Sequence, residues 1–291
     1  MGNLVSVVMS GLALGSISAL VALGFIVTFK ATGIINFAQG GLVTLGAYLG
    51  YITEVQLGLP PYFAFPIVLV FMFGVGVLLE RIVHAPLRGR PSLVVVIATL
   101  GVGLVIQAIL LDIYGTNARS VPALAAGAVV HILGANIAVY DLIIIGVTAV
   151  AIAALMLVFG KTQLGRQFRA TSLDPAVASL QGIPVKRFAI IAFGAGGLLA
   201  GLAGLMVAPR SPIDTNIGFT AMITAFAAAV IGGFGRLEGV VAGALALGLI
   251  SQLGGAYIAY QYQELYPFVV MIIVIAIRPN GLLGSQSRVR L

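Results

Sequence analysis

The sequence has no cysteine, two histidines and eight acidic residues in a chain of 291. The first absence excludes disulfides and thiol chemistry and leaves the redox compartment undetermined. The histidines, His84 and His131, lie at loop ends. Serines inside the first apolar run, such as Ser16 and Ser18, therefore have no general base, which excludes an intramembrane serine protease. His131, alone in a loop, is structural or solvated rather than a ligand. No cluster of His, Cys and acids forms a metal site. Glu54, Asp112, Asp141, Asp214 and Glu264 fall near the ends of apolar runs. A proton- or ion-coupled carrier commonly buries such groups within its spans. A motor is lacking too. Gly160-Lys161-Thr162 resembles the end of a phosphate-binding loop, but Leu155 stands where that loop needs its first glycine, and no strand leads in.

Charge itself is scarce. Only 8% of residues are charged and 60% are hydrophobic, against about 25% charged in a soluble domain. The fold class is all-α, a polytopic membrane helical bundle. A net charge of +7 would suggest nucleic acid for a soluble protein; here it is loop charge, and no nucleic-acid partner is expected. The first run is too long for a signal-peptide core and is expected to be retained.

Charge-free windows of about 20 residues read as spans, because lipid leaves backbone groups no other partner than their own segment. They fall at Leu4–Phe29, Gly33–Thr53, Tyr62–Leu79, Ser92–Leu111, Leu142–Phe159, Phe188–Ala208, Ile217–Phe234, Gly239–Ala259 and Tyr266–Ile277. The seventh and ninth are short, so 8–9 transmembrane segments are expected. With the amino terminus outside and the carboxyl terminus cytoplasmic, 13 of the 15 basic residues face inward and only Arg119 and Arg210 face outward. Positive residues favour the inside. The outer stretch 113–140 is rich in Gly and Pro, and VVHILGANIAVY reads as two strands about a Gly-Ala-Asn turn.

Residues 161–187 form the most polar segment, with Lys161, Arg166, Arg169, Lys186 and Arg187 against one acid, Asp174. Ser172 or Asp174 can cap a short helix, Pro175 suits its first position, and Gly182 can end it in a left-handed conformation. Val177, Leu180 and Ile183 recur every three residues and form one apolar face. The segment is either a platform for a cytoplasmic protein or a loop that only fixes topology.

Two stretches break the apolar pattern. Asn36, Gln39, Gly40 and Gly41 stand where the second span should be starting, and Ile231–Gly239 includes Gly232 and Gly233. Interrupted helices in both halves point toward a translocation path; tight turns are the alternative. Pairs such as Gly11/Gly15, Gly46/Gly50, Gly197/Gly201 and Gly239/Gly243 read as helix contacts. A pore with neither motor nor internal relay is a passive channel or a subunit driven by a partner.

TGIINFAQGGLVTLGAY, GRQFRATSLDPAVASLQGIPVKR, AFGAGGLLAGLAG, AVIGGFGRLEGVVAGALALGLI and RPNGLLG occur in this order from about Gly11 to Gly284. In these pieces the chain resembles the LivH-type permeases of bacterial ABC importers for branched-chain amino acids and related amides. The resemblance implies one permease domain over residues 1–291 in the bacterial cytoplasmic (inner) membrane, in contact with lipid. It also implies a second homologous permease, two ABC ATPase subunits and an extracytoplasmic solute-binding protein. The chain would be no enzyme and bind no cofactor, with ATP and Mg on the partner subunits. From their place at the two breaks in the apolar pattern, Asn36, Gln39, Gly40, Gly232 and Gly233 would border the path. Residues 161–187 would be the coupling loop, through Arg166, Arg169, Asp174, Pro175, Val177, Leu180, Gly182 and Ile183. Many relatives carry an acid where this chain has Gly41, which bears on the solute. Branched-chain amino acids are expected; a passive channel or a permease for urea or short amides is the alternative.

Overall fold

The computed structural model describes residues 2–125, 127–132, 134–233, 236–278 and 281. Phe234 and Gly235 of the second interruption, the last residues of the RPNGLLG piece, and Arg288 and Arg290 lie outside these residues. Eleven α-helices and one hairpin account for most of the described chain. The protein is an all-α membrane bundle.

The helices follow the apolar runs closely. They are α1 (Gly2–Thr32), α2 (Gln39–Tyr51), α3 (Pro61–Leu79), α4 (Ser92–Tyr114), α5 (Val139–Lys161), α6 (Gln163–Leu173), α7 (Pro175–Leu180), α8 (Val185–Val207), α9 (Ile217–Gly232), α10 (Leu237–Tyr257) and α11 (Tyr266–Ile277). Six apolar helices are long enough to cross a bilayer, while α9 and α11 are shorter. At 1.5 Å per residue, α2 with 13 residues is about 20 Å long, short of a hydrocarbon core of about 30 Å.

Three expectations change. The second span starts at Gln39 rather than Gly33, because Asn36 Oδ1 accepts from the Ala38 amide (3.1 Å) and holds the chain in a turn. The polar segment carries two helices rather than one: Thr162 caps α6 by accepting from the Gly165 amide (3.1 Å). In the stretch 113–140, β1 (Val129–Ile132) pairs antiparallel with β2 (Ala135–Ala138). Ala135 and Asn136 are thus ladder residues opposite Ile132 and His131, not turn residues.

The described chain divides into two compact units. The first comprises Met1–Leu23, Ala125–Ala149 and Ile223–Leu291. Its core is small: Ala19, Ala227, Ala228, Ile231, Ala244 and Leu247 are buried, with Val270, Met271 and Val274 packed on them. Small residues let these helices touch by their backbones, and a Cβ on Gly15 would stand 2.8 Å from Ala244 O. Ser10 Oγ donates to the buried Asp141 carboxylate at 2.7 Å.

The second unit comprises Gly24–Leu124 and Val150–Met222. Its centre is α8, which packs on α2 and α3. A Cβ on Gly46 would lie 2.7 Å from Gly201 Cα, and one on Gly204 would lie 2.5 Å from Ala47 N. Gly46 and Gly201 therefore serve helix packing, the role their spacing indicates. By contrast α4 leaves much of its apolar surface uncovered.

Candidate functional site

The second unit holds both the central polar segment and an apolar cavity. In the polar segment, Asp174 Oδ1 accepts from the amides of Ala176 (2.9 Å) and Val177 (3.0 Å), so two donors orphaned at the start of α7 are satisfied. Pro175 occupies the first helical position. At the other end the Gly182 amide donates to Ser179 O (3.0 Å) and the Ile183 amide to Ala178 O (3.1 Å). Those two bonds form a Schellman closure, which needs the left-handed φ of +78° that Gly182 adopts.

The apolar face differs from its sequence pattern. Ile183 turns inward and packs on Val27, Ala31, Phe168, Phe188 and Ala192. Leu173 takes its place outside, and Leu173 and Leu180 are 88% and 86% exposed, with Val177 half exposed. The segment is pinned where it meets the helices: Ser172 Oγ donates to Lys30 O (2.6 Å) and Arg169 Nη1 to Phe159 O (2.8 Å). Arg166 is exposed.

At the interruption before α2, Asn36 and Gln39 are 2% and 0% exposed. Asn36 makes the turn described above. Gln39 Nε2 donates to Gly196 O on α8 (3.1 Å), and its Oε1 has no hydrogen-bond partner. A Cβ on Gly24 would come within 1.9 Å of the Gln39 Nε2, so a larger residue there has to displace that amide from its place.

Gly40 faces a cavity of about 200 Å³. Gly40, Gly41 and Thr44 of α2 border it, with Gly103 and Gln107 of α4 and Met222 of α9. Phe37, Leu100, Leu104 and Phe219 supply apolar wall, and Thr215 completes it. Here α9 starts against the first turns of α2: the Gly218 amide donates to Thr44 Oγ1 (3.2 Å), and a Cβ on Gly218 would stand 2.0 Å from Gly40 O. Two helices, α2 and α9, therefore begin at one place in this unit. The break before α9, at Asp214–Asn216, has no glycine pair to advertise it and escapes sequence inspection; its signals are Asp214 and Asn216, both turn formers.

Gly232 and Gly233 lie in the other unit, at the end of α9. A Cβ on Gly232 would come within 2.2 Å of Gly239 O, and Gly233 has φ +87°. A close backbone approach and a left-handed turn account for both glycines.

Sequence inspection also passes over a buried ion pair. Glu80, 1% exposed at the end of α3, binds the Arg88 guanidinium. His84, between them in sequence, is buried with its ring 4.9 Å from that of Phe193. An acid at the end of an apolar run followed by an arginine eight residues later is the signal.

A sequence-family model described as "Branched-chain amino acid transport system / permease component" matches residues 7–276. The chain belongs to this family. It is 30% identical to the high-affinity branched-chain amino acid transport system permease LivH of Escherichia coli K12, over 96% of this chain and 94% of that one. It is 29% identical to BraD of Pseudomonas aeruginosa, a permease of the same description, over 96% and 95%. The ribose import permease RbsC of Haemophilus influenzae is 24% identical over 94% and 84%. Among solved structures, PsaBC of Streptococcus pneumoniae in complex with Fab is similar in fold, with a TM-score of 0.50, 18% identity and coverage of 94% and 91%. The protein is thus a multi-pass transport permease of the branched-chain amino acid permease family.

Proposed function

We propose that this permease is the translocation subunit of an ATP-driven ABC importer for branched-chain amino acids in a bacterial inner membrane. The observation that carries the reading is the exposed apolar tip of the central segment. Val177 and Leu180 project from α7, a helix closed at both ends, and Leu173 from the end of α6 just before it. Covering a leucine is worth about 1.5–3 kcal/mol, so a partner groove that accepts this tip gains affinity from it, and the closed helix can transmit a push.

The occupant of that role is an ABC ATPase, present twice, with ATP and Mg bound there and none on this chain. Arg166 on the rim steers association more than it fixes affinity. A second homologous permease would cover the open face of α4, the remainder facing lipid. A solute-binding protein would deliver ligand on the side opposite the basic central segment, where the charge distribution puts Arg119 and Arg210.

Reconstitution of the permeases, ATPases and binding protein in liposomes tests the reading. Leucine should accumulate only with ATP inside the ATPase compartment and loaded binding protein on the other side. Flux of leucine or urea that ignores ATP would refute it in favour of a passive channel.

A further inference from the structure

We propose that the cavity between α2, α4 and the start of α9 receives the apolar side chain of the transported amino acid, so that its walls set which chain lengths pass. The inference rests on the importer reading and names a site for it. Its first support is size. An apolar cavity of about 150 Å³ holds a benzene-sized molecule, and this one, at about 200 Å³, is large enough for a four-carbon aliphatic chain.

The second support is that two of the three polar side chains lining it, Thr44 and Gln107, are already hydrogen-bonded within the protein, Thr215 being the third. Thr44 Oγ1 donates to Gly40 O (3.3 Å) and accepts from the Gly218 amide. Gln107 Nε2 donates to Asn216 Oδ1 at 2.6 Å. A sugar would ask each of these groups for hydrogen bonds, and burying hydroxyls without partners is costly. An aliphatic chain asks for none.

The third is the floor. Gly41 and Gly103 meet back to back, where a Cβ on Gly41 would lie 2.8 Å from Gly103 Cα. Gly103 itself has room: its added Cβ would find Ala38 Cα and Phe37 O at 3.6 Å, ordinary contact. Gly103→Ala thus puts one methyl into the cavity region without forcing backbone apart. Met222, buried opposite, is the side chain whose truncation enlarges the space.

The test is uptake of radiolabelled leucine and alanine by the complete reconstituted importer, each presented at saturation of the binding protein. One methylene changes discrimination in an apolar pocket by about 10-fold or more, and neighbouring residues absorb part of it. Gly103→Ala should lower the leucine-to-alanine uptake ratio about fivefold, and Met222→Ala should raise it. Damage to folding or assembly lowers both rates together and leaves the ratio unmoved. A ratio unchanged in both variants while the wild type transports leucine would overturn the inference, and would fit a cavity filled by a lipid acyl chain. Failure of the wild-type complex to move either amino acid would overturn the importer reading itself.

Discussion

Replacing Gly182 by valine should loosen the end of α7 without any collision. A Cβ at this position meets nothing within 4 Å, so the cost is conformational alone. Holding an L-residue at φ +78° costs about 1–2 kcal/mol, with β-branched residues at the upper end and asparagine well below. The helix has six residues, far fewer than the roughly 12–15 that an isolated helix needs. Its integrity therefore depends on its caps. A penalty of about 2 kcal/mol multiplies the open population about 30-fold and releases the Gly182 and Ile183 amides from Ser179 O and Ala178 O. Hydrogen exchange over residues 175–183 of the complex in lipid discs reads the opening directly. Exchange should rise in the order Gly182→Asn, Gly182→Ala, Gly182→Val. Substrate-stimulated ATP turnover and uptake should fall in the same order, with membrane abundance preserved. If asparagine is as damaging as valine, or if valine leaves exchange unchanged, left-handed closure is not what holds α7.

Three further outcomes follow from particular contacts. Gly24→Ala should lower the thermal midpoint of the detergent-solubilised protein, because its methyl meets the Gln39 amide; Gln39→Ala in the same chain should restore most of the loss. If the double variant is worse than Gly24→Ala alone, the clash is not the cause. Arg88→Ala should destabilise by about 2–3 kcal/mol, below the figure for a fully buried pair because Arg88 is about a third exposed. Adding Glu80→Gln should recover part of that in the same melting experiment, since it removes the orphaned charge. Single cysteines at Ser179 and Ala128, both exposed, should react with an impermeant reagent in intact cells at 128 and not at 179. The reverse pattern would invert the proposed orientation.

The spans were legible because their signal is local and redundant. Tyr266–Ile277 can be bounded from its charge-free run alone, and α11 begins and ends at these residues. Asp174 and Gly182 were legible because caps depend on one side chain or one φ angle. What stayed hidden depends on contacts between distant residues. Ile183 has the right spacing for the exposed face of α7, yet Phe168 and Phe188 draw it inward. In α6, Gly165 looks like a helix breaker. It serves instead for close approach, since a Cβ there would stand 2.3 Å from Phe159 O. The cavity combines residues near 40, 103 and 220, and no pattern within any one of these stretches announces the others.

In the importer reading, movement of the solute is imposed on the cavity walls from the partner side. The second unit contains a continuous route for that. Ile183, at the closed end of α7, packs on the cluster that includes Phe188 in the first turn of α8. Two turns further along α8, Gly196 O receives the Gln39 amide. Gln39 is the first residue of α2, and its neighbour Gly40 borders the cavity and touches the start of α9. Packed helices shift as rigid bodies far more readily than they deform, so a displacement of α7 that carries α8 with it must either move the start of α2 or break the Gln39 bond. The buried Gln39 Oε1, which has no hydrogen-bond partner, suits a residue that exchanges partners between two states. In that reading Gln39 links α8 to the cavity rather than lining it, which gives the polar start of α2 a mechanical reason to exist in an otherwise apolar region.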